Sequence, residues 1–235
     1  MYSKEIEPLL SEVQAEIISK CDNVLIQYNS FVLTSEMKLK LAITMVCQLL
    51  RGKQSREFEH KIYSEALPSV IEKARQQFAP IDELKEKILK AVIEDDDYFK
   101  LASMKATFDI ERLERYIYIL LQRHFLIYKI IGETNFITSD NPVMFLDTTT
   151  LNALPFSNGL LQSTTAVYFP IAPKLLIAAY HPNLYFGTLA EFDGKLIFLD
   201  SHKEQTFIQT QNKKQYEQCY NQIYAKNKTV LEMLV

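Results

Sequence analysis

His124-Phe125-Leu126-Ile127-Tyr128-Lys129-Ile130-Ile131 is the stretch at which the chain changes character. It is an almost unbroken run of aliphatic, β-branched and aromatic side chains. It is also too short for a core helix and lacks polar residues at helical spacing. Such a run predicts a strand. Gly132-Glu133-Thr134 follows as a turn, and Asn135-Phe136-Ile137-Thr138-Ser139 after it is expected to close a hairpin with the first run.

Downstream of this stretch the strands continue. TTAVYFPI (164–171) and KLLIAAYH (174–181) flank Ala172-Pro173 as a second hairpin, while LYFGTLA and KLIFLD flank a turn at Phe192-Asp193-Gly194. Beyond Gln211, the residues Tyr216, Cys219, Tyr220 and Ile223 recur at helical spacing and predict a terminal helix covering a sheet face.

Upstream the period is helical. Ile6, Leu10, Val13, Ile17 and Cys21 form one stripe, with Glu5, Glu12, Glu16 and Lys20 facing away and a break at Asp22-Asn23. Thr34-Ser35-Glu36 is a cap for a helix carrying Leu39, Ala42, Val46 and Leu49 that ends near Arg51-Gly52. Helix is expected again over 55–78, interrupted before Pro68. Another begins at Pro80 with Leu84, Ile88 and Ala91, and a third is capped by Asp95-Asp96-Asp97. Asp109 caps the last, with Ile110, Leu113, Ile117 and Leu120 on its stripe. The fold class is therefore α+β: a helical N-terminal half, then a mixed or antiparallel sheet with a C-terminal helix packed on it. Without a linker rich in Gly, Pro or Ser, residues 1–235 read as a single domain with a helical lobe 1–122 and a strand-rich lobe 123–235.

A chain of 235 residues buries roughly 70% of its unfolded surface and needs neither metal nor disulfide to be stable. Net charge is −3 and pI near 5.9, so no long-range positive field draws nucleic acid or an anionic membrane to the whole surface. All six arginines precede residue 130, which assigns bidentate anion recognition to the helical half. Cys21, Cys47 and Cys219 form no close pair and read as buried thiols. With no secretory signal at the N-terminus and no apolar run near ~18 residues, the expected location is the reducing cytoplasm, without a membrane partner.

The five glycines form neither GxGxxG nor a phosphate loop, and HExxH, paired CxxC and GxSxG are all lacking. His60, His124, His181 and His202 are scattered. No metal site is expected, and no cofactor is indicated.

Three segments can carry chemistry. Thr138-Ser139-Asp140-Asn141-Pro142 stands where a strand ends. Asp140 supplies a carboxylate for general-base or cation-binding work, Ser139 and Asn141 can contact a ligand, and Pro142 holds Asn141 extended. The plainer reading is that these side chains bond neighbouring amides and close a turn. The 17 residues from Asp147 to Ser163 are rich in Thr, Asn and Ser and read either as a binding loop or as a surface excursion. Gln48 and Arg51 share a helix face, extended by Arg56, and can present an amide and a guanidinium to an anion. Alternatively they form a helix end whose arginines complement the dipole or pair with Glu57 and Glu59. Glu191, Asp193, Lys195 and Asp200 superficially match metal-nuclease hairpins, but Asp-Gly is foremost a tight-turn signal.

Several features occur in one order: a first helix with Glu5 and Glu12, QLLR at 48–51, NFITSDNPV at 135–143, YFPIAPKLLI at 168–177, and an Asn/Gln-rich final helix. Together they resemble the bacterial domain-of-unknown-function 4238 family, with SDNPV and FP-x-x-P-K the most specific parts. The resemblance implies no activity to inherit. Members of that family usually begin with a His-Tyr-x-Pro-like motif and a Leu-x-x-Phe element, and this chain starts after them. The resemblance thus implies a truncated chain, a short member, or a missing segment residing elsewhere. That missing segment and a separate protein are the expected partners, and nucleic acid stays open as a third.

Two functions follow. One is a non-catalytic binding or regulatory module using a polar pocket at the SDNP loop. The alternative is a hydrolase of phosphate-containing or nucleic-acid substrates with Asp140 as key carboxylate, Ser139 and Asn141 on the substrate, and Gln48 with Arg51 holding an anion.

Overall fold

A computed structural model of the protein describes residues 2–24, 31–52, 109–150 and 159–232, with isolated positions between 57 and 105. The chain divides into two compact units, Met1–Leu49 with Glu114–Val235, and Leu50–Leu113. In the second unit the isolated positions from 57 to 105 are helical, Pro68 included, and Lys61 pairs with Glu65 one turn on at 3.8 Å. Arg56, Glu59, His60, Pro80, Leu84, Ile88, Ala91 and the run Asp95-Asp96-Asp97 lie outside the described residues.

In the first unit, α1 (Tyr2–Asp22) buries Leu10, Ile17 and Cys21, the expected stripe. It stops at Asp22, where Lys129 donates to the Cys21 and Asp22 carbonyls at 2.7 and 3.1 Å and puts a cation on the last turn. α2 (Ser35–Arg51) is capped by Thr34, whose Oγ1 accepts from Met37 N at 3.2 Å. Its buried face is Met37, Leu41, Ala42, Met45, Val46 and Leu50, whereas Leu39, placed on the stripe from sequence, is 42% exposed. Apolar residues occur nearly all round this helix, so spacing alone does not fix its rotation. α3 (Ile110–Leu121) is capped by Asp109, which accepts from Arg112 N at 2.9 Å, and it buries Leu120 while Ile110 is exposed.

The strands are β1 (His124–Ile131), β2 (Thr138–Ser139), β3 (Met144–Asp147), β4 (Thr165–Ala172), β5 (Leu175–Tyr180), β6 (Leu196–Asp200) and β7 (Ile223–Tyr224). Five of them form a mixed sheet in the order β3-β4-β5-β1-β6, and β2 pairs with β7. The β4–β5 hairpin forms as expected, with Phe169 opposite Ile177. β1 does not form a hairpin with 135–139. Ile127 lies antiparallel to Ile177 of β5 and parallel to Leu196 of β6, so both edges of β1 are occupied. Gly132 turns the chain away at φ 111°, with Ser201 Oγ standing 2.0 Å from where a Cβ would sit. Only glycine fits there.

The expected strand LYFGTLA is instead part of a 3-10 segment, Leu184–Phe192, in which Tyr185 and Phe186 adopt φ 50° and 55°. The following turn serves β1: Asp193 Oδ1 accepts from Phe125 N at 2.7 Å, and Gly194 N donates to Phe125 O at 2.6 Å. A parallel β1–β6 pairing results where a local hairpin was expected.

Even-numbered β1 residues Leu126, Tyr128 and Ile130 share a core with Tyr168, Tyr180 and Leu199, covered by Phe207 and Ile208 of α4 (Gln205–Glu217). On the opposite face Phe125 lies beneath Lys38 of α2, 5.2 Å from Nζ to ring centroid. The sheet is thus covered on both sides, which matches the fully buried pattern of β5. A short helix, α5 (Lys228–Glu232), ends the described chain.

Candidate functional site

α4 buries Ile208, Gln211, Asn212 and Gln215, rather than the expected Tyr216 and Tyr220, which are 43% and 42% exposed. Its inner face is amide-rich because it meets exposed backbone. After Gly132 the segment 135–141 leaves the sheet, so its peptide groups need partners. Asn212 supplies two of them, accepting from Ile137 N at 3.0 Å and donating to Asn135 O at 2.9 Å, as a neighbouring strand would. Gln215 donates to Ser139 Oγ and to Asn141 O at 2.9 Å, and Gln218 reaches Asn141 O at 2.6 Å. Three amides at three-residue spacing therefore hold the segment against the helix.

The SDNP side chains complete this fastening. Ser139 is buried, and its hydroxyl accepts from Asn141 N at 3.1 Å. Asn141, also buried, donates to Gln218 O at 3.4 Å. Asp140 accepts from Tyr220 N at 2.9 Å through one oxygen and from Asn221 N at 2.8 Å through the other, while its own N–H donates to Gln222 O at 3.0 Å. These bonds set up the β2–β7 register, Thr138 opposite Tyr224.

That pairing opens a cleft beside SDNP. It is bounded by 136–138, by 170–173 and by 224–226, with a volume of about 290 Å³. Pro170 belongs to a strand with neighbours on both sides and has no N–H to donate. The β4–β5 register slips between Pro170 and Ala172, which shapes one wall. Tyr224, 53% exposed, and the exposed Lys226 form the outer rim. The floor is apolar, made by the buried Phe136 and Ile137.

The sequence matches one family over nearly its whole length. The family model described as "Protein of unknown function (DUF4238)" matches residues 1–229. This chain belongs to that family. No curated protein and no solved structure matches it.

In this DUF4238 chain the remaining candidates are placed as follows. Gln48 is buried in α2, and its Oε1 has no hydrogen-bond partner among the described residues. Arg51, three residues on, is half-buried and falls in the second unit. Asp193 is bound to Lys38 at 3.0 Å and to the β1 backbone. Asp200 accepts from His202 N at 2.9 Å, which holds its carboxyl below the usual range, and Lys195 lies over Phe192. Among the described residues no three His, Cys, Asp or Glu side chains gather as a metal site. Cys21 is buried as read from sequence, whereas Cys47 and Cys219 are partly exposed, and none of the three is in a disulfide.

Within the Asp147–Ser163 loop, residues 151–158 lie outside the described residues. At its base Asp147 accepts from Thr149 N and Thr150 N at 2.9 Å and from Thr164 Oγ1 at 2.6 Å. The hydroxyl bonds, foremost that of Thr149, hold its carboxyl far below the usual range. Arg123 lies beneath, 1% exposed, donating to the carbonyls of Thr165, Ala179, Leu160 and Gln162. Burial lowers it to about 10.

Sequence reasoning missed Arg123, the α4 amides and the cleft. The only local signal was the density of Asn and Gln in 205–222. No helix among the described residues is long and apolar enough to cross a membrane.

Proposed function

We propose that this chain is a non-catalytic binding module of the bacterial cytoplasm whose ligand site is the cleft beside the SDNP segment. The observation that carries this reading is the pairing of an apolar cleft of about 290 Å³ with a polar segment already occupied by backbone hydrogen bonds. A catalytic carboxylate has to be within reach of a reacting proton. Both oxygens of Asp140 instead hold the chain at 220–221, and Ser139 and Asn141 are buried behind it. In this reading the three residues form the wall behind the cleft, and Asp140 positions Tyr224 rather than touching a ligand. Gln48 is not among the residues that bound that cleft. Cys21, Cys47 and Cys219 are not joined in a disulfide, which accords with a reducing compartment. The hydrolase alternative gains no support from where Asp140 lies.

Thermal unfolding with a panel of small apolar molecules tests the reading, using wild type and Ala225→Phe, in which the added ring fills the cleft. A ligand at a hundred times its Kd stabilises wild type by about 2.7 kcal/mol. The reading expects Ala225→Phe to lose that shift while unfolding near the wild-type temperature without ligand. Equal shifts in both proteins overturn it.

A further inference from the structure

His181 stands at the end of the sheet where β5 finishes and β1 and β4 begin. His124 lies opposite Tyr180 in the β1–β5 register, so Arg123 comes next against His181; Ala166 lies opposite Tyr180 in the β4–β5 register, so Thr165 comes next on the other side. The Arg123 guanidinium is fixed at this end of the sheet by Ala179 O at 3.3 Å and by Thr165 O, and it also holds the carbonyls of Leu160 and Gln162. Arg123 is buried, whereas His181 is half-buried and open to proton exchange with water. Nδ1 of His181 accepts from Asn183 N at 3.1 Å, so that nitrogen carries no proton and the ring is neutral. His181 O accepts from Leu184 N at 2.9 Å. These two bonds start the segment in which Tyr185, Phe186 and Gly187 are left-handed.

We infer that His181 is an acid-sensitive latch: protonation of Nδ1 breaks the bond to Asn183 and sets an imidazolium beside Arg123, loosening the 182–187 turn and the 160–162 turn together. Like charges side by side on neighbouring strands are destabilising, and Arg123, lowered only to about 10, keeps its charge at neutral and acid pH. Among the described residues no neighbouring carboxylate offsets the new charge. Thr165 on the β4 side is uncharged, and Asp147 lies one strand further, opposite Thr165 and bonded by Thr149, Thr150 and Thr164. Asp193 stands beside His124, 3.8 Å from its Nδ1, and is held by Lys38. Tyr180 keeps its proton because burial raises it. In agreement, burial and then the Arg123 charge lower His181 from its ordinary value. A base held low when folded is charged more readily once its surroundings open. The loosening is therefore absent above about pH 6.5 and grows as pH falls below it.

Amide hydrogen exchange of the full chain at about pH 7.5 and about pH 5.5, either side of the ordinary histidine range and corrected for the intrinsic pH dependence of exchange, tests this in wild type, His181→Asn and His124→Asn. An asparagine side chain at position 181 can accept the same amide two residues on, as in an Asx turn, and does not titrate. In wild type the protection of Gln162, Thr165, Asn183 and Leu184 is expected to fall about two- to tenfold at the lower pH, the range of one like-charge pair and one hydrogen bond. Val167 and Ile177, further into the sheet, keep theirs. His181→Asn is expected to hold its protection at both pH values, and His124→Asn to behave as wild type. Unchanged protection in wild type, an equal fall in His181→Asn, a fall spread evenly over β4 and β5, or an effect lost in His124→Asn alone overturns the latch. A titration of wild type read by NMR gives a second check: the His181 ring and the Asn183 amide are expected to share one midpoint, and separate midpoints overturn the inference.

Discussion

Asp140 Oδ2 accepts the backbone N–H of Asn221 at 2.8 Å, joining positions 81 residues apart in the chain. With the Tyr220 bond beside it, the carboxylate holds the C-terminal stretch as a helix cap would hold a first turn. Asp140→Ala is expected to lower stability by about 1–2 kcal/mol, and Asp140→Asn, which keeps one acceptor, by less. Chemical denaturation of the two variants checks the order. Loss of stability in the Asn variant equal to that in the Ala variant contradicts the capping role.

Asn212 is the centre of the amide ladder. Asn212→Leu removes the partners of Ile137 N and Asn135 O inside the core and is expected to cost about 2–4 kcal/mol, despite the gain in apolar surface. Asn212→Asp keeps the acceptor for Ile137 N and loses the donor to Asn135 O. Urea midpoints near wild type for the Leu variant show that the ladder is dispensable.

Arg123→Met keeps most of the volume and removes the donors to four carbonyls at the base of the 147–163 loop. A loss of about 3 kcal/mol is expected, and limited proteolysis should cleave the variant first within that loop. Cleavage elsewhere, at wild-type stability, contradicts the assignment.

Alkaline stability follows from the core. Tyr180 shares hydroxyl contacts with Tyr128 at 2.9 Å and with Tyr168 at 3.2 Å, and burial raises all three phenols. Burial also pushes the Cys21 thiol up to about 12. Each group keeps its proton when folded and loses it when unfolded once pH passes its ordinary value. Their stability is therefore intact below about pH 9 and falls as pH rises. Arg123 acts oppositely, because its folded value is lowered, and adds stability above about pH 10. The net expected slope is at most about −4 kcal/mol per pH unit above pH 10. Absorbance at 295 nm checks this: three of the thirteen tyrosines should ionise only as the protein unfolds. Ionisation of all thirteen together below the unfolding transition contradicts it.

Phe186 is fully exposed in a left-handed conformation that costs an L-residue about 1–2 kcal/mol. Phe186→Gly loses no packing and is expected to stabilise the fold by up to about 1 kcal/mol, after the greater unfolded-state entropy of glycine is included. A lower melting temperature implies a contact for this ring.

The α+β order was legible where local signals are strong. The caps at Thr34 and Asp109, the stop at Asp22, the Cys21 stripe and the β4–β5 hairpin all depend on residues close in sequence. What was not legible depends on distant partners. Nothing near 124–131 says that its edges belong to β5 and β6, and nothing in LYFGTLA announces three successive left-handed residues. The apolar spacing of Tyr216 and Tyr220 pointed to the wrong helix face, because the true face is polar and matches backbone 70 to 80 residues away. For the same reason SDNP was legible as a special segment, while its side-chain partners and the cleft beside it were not.

Backbone amide chemical-shift mapping with a saturating small apolar ligand from the thermal-unfolding panel tests the central claim most directly. The account predicts shifts concentrated at Ile137, Thr138, Tyr224, Ala225 and Lys226. A response centred on Gln48 or on the 147–163 loop, with the cleft amides unmoved, contradicts it.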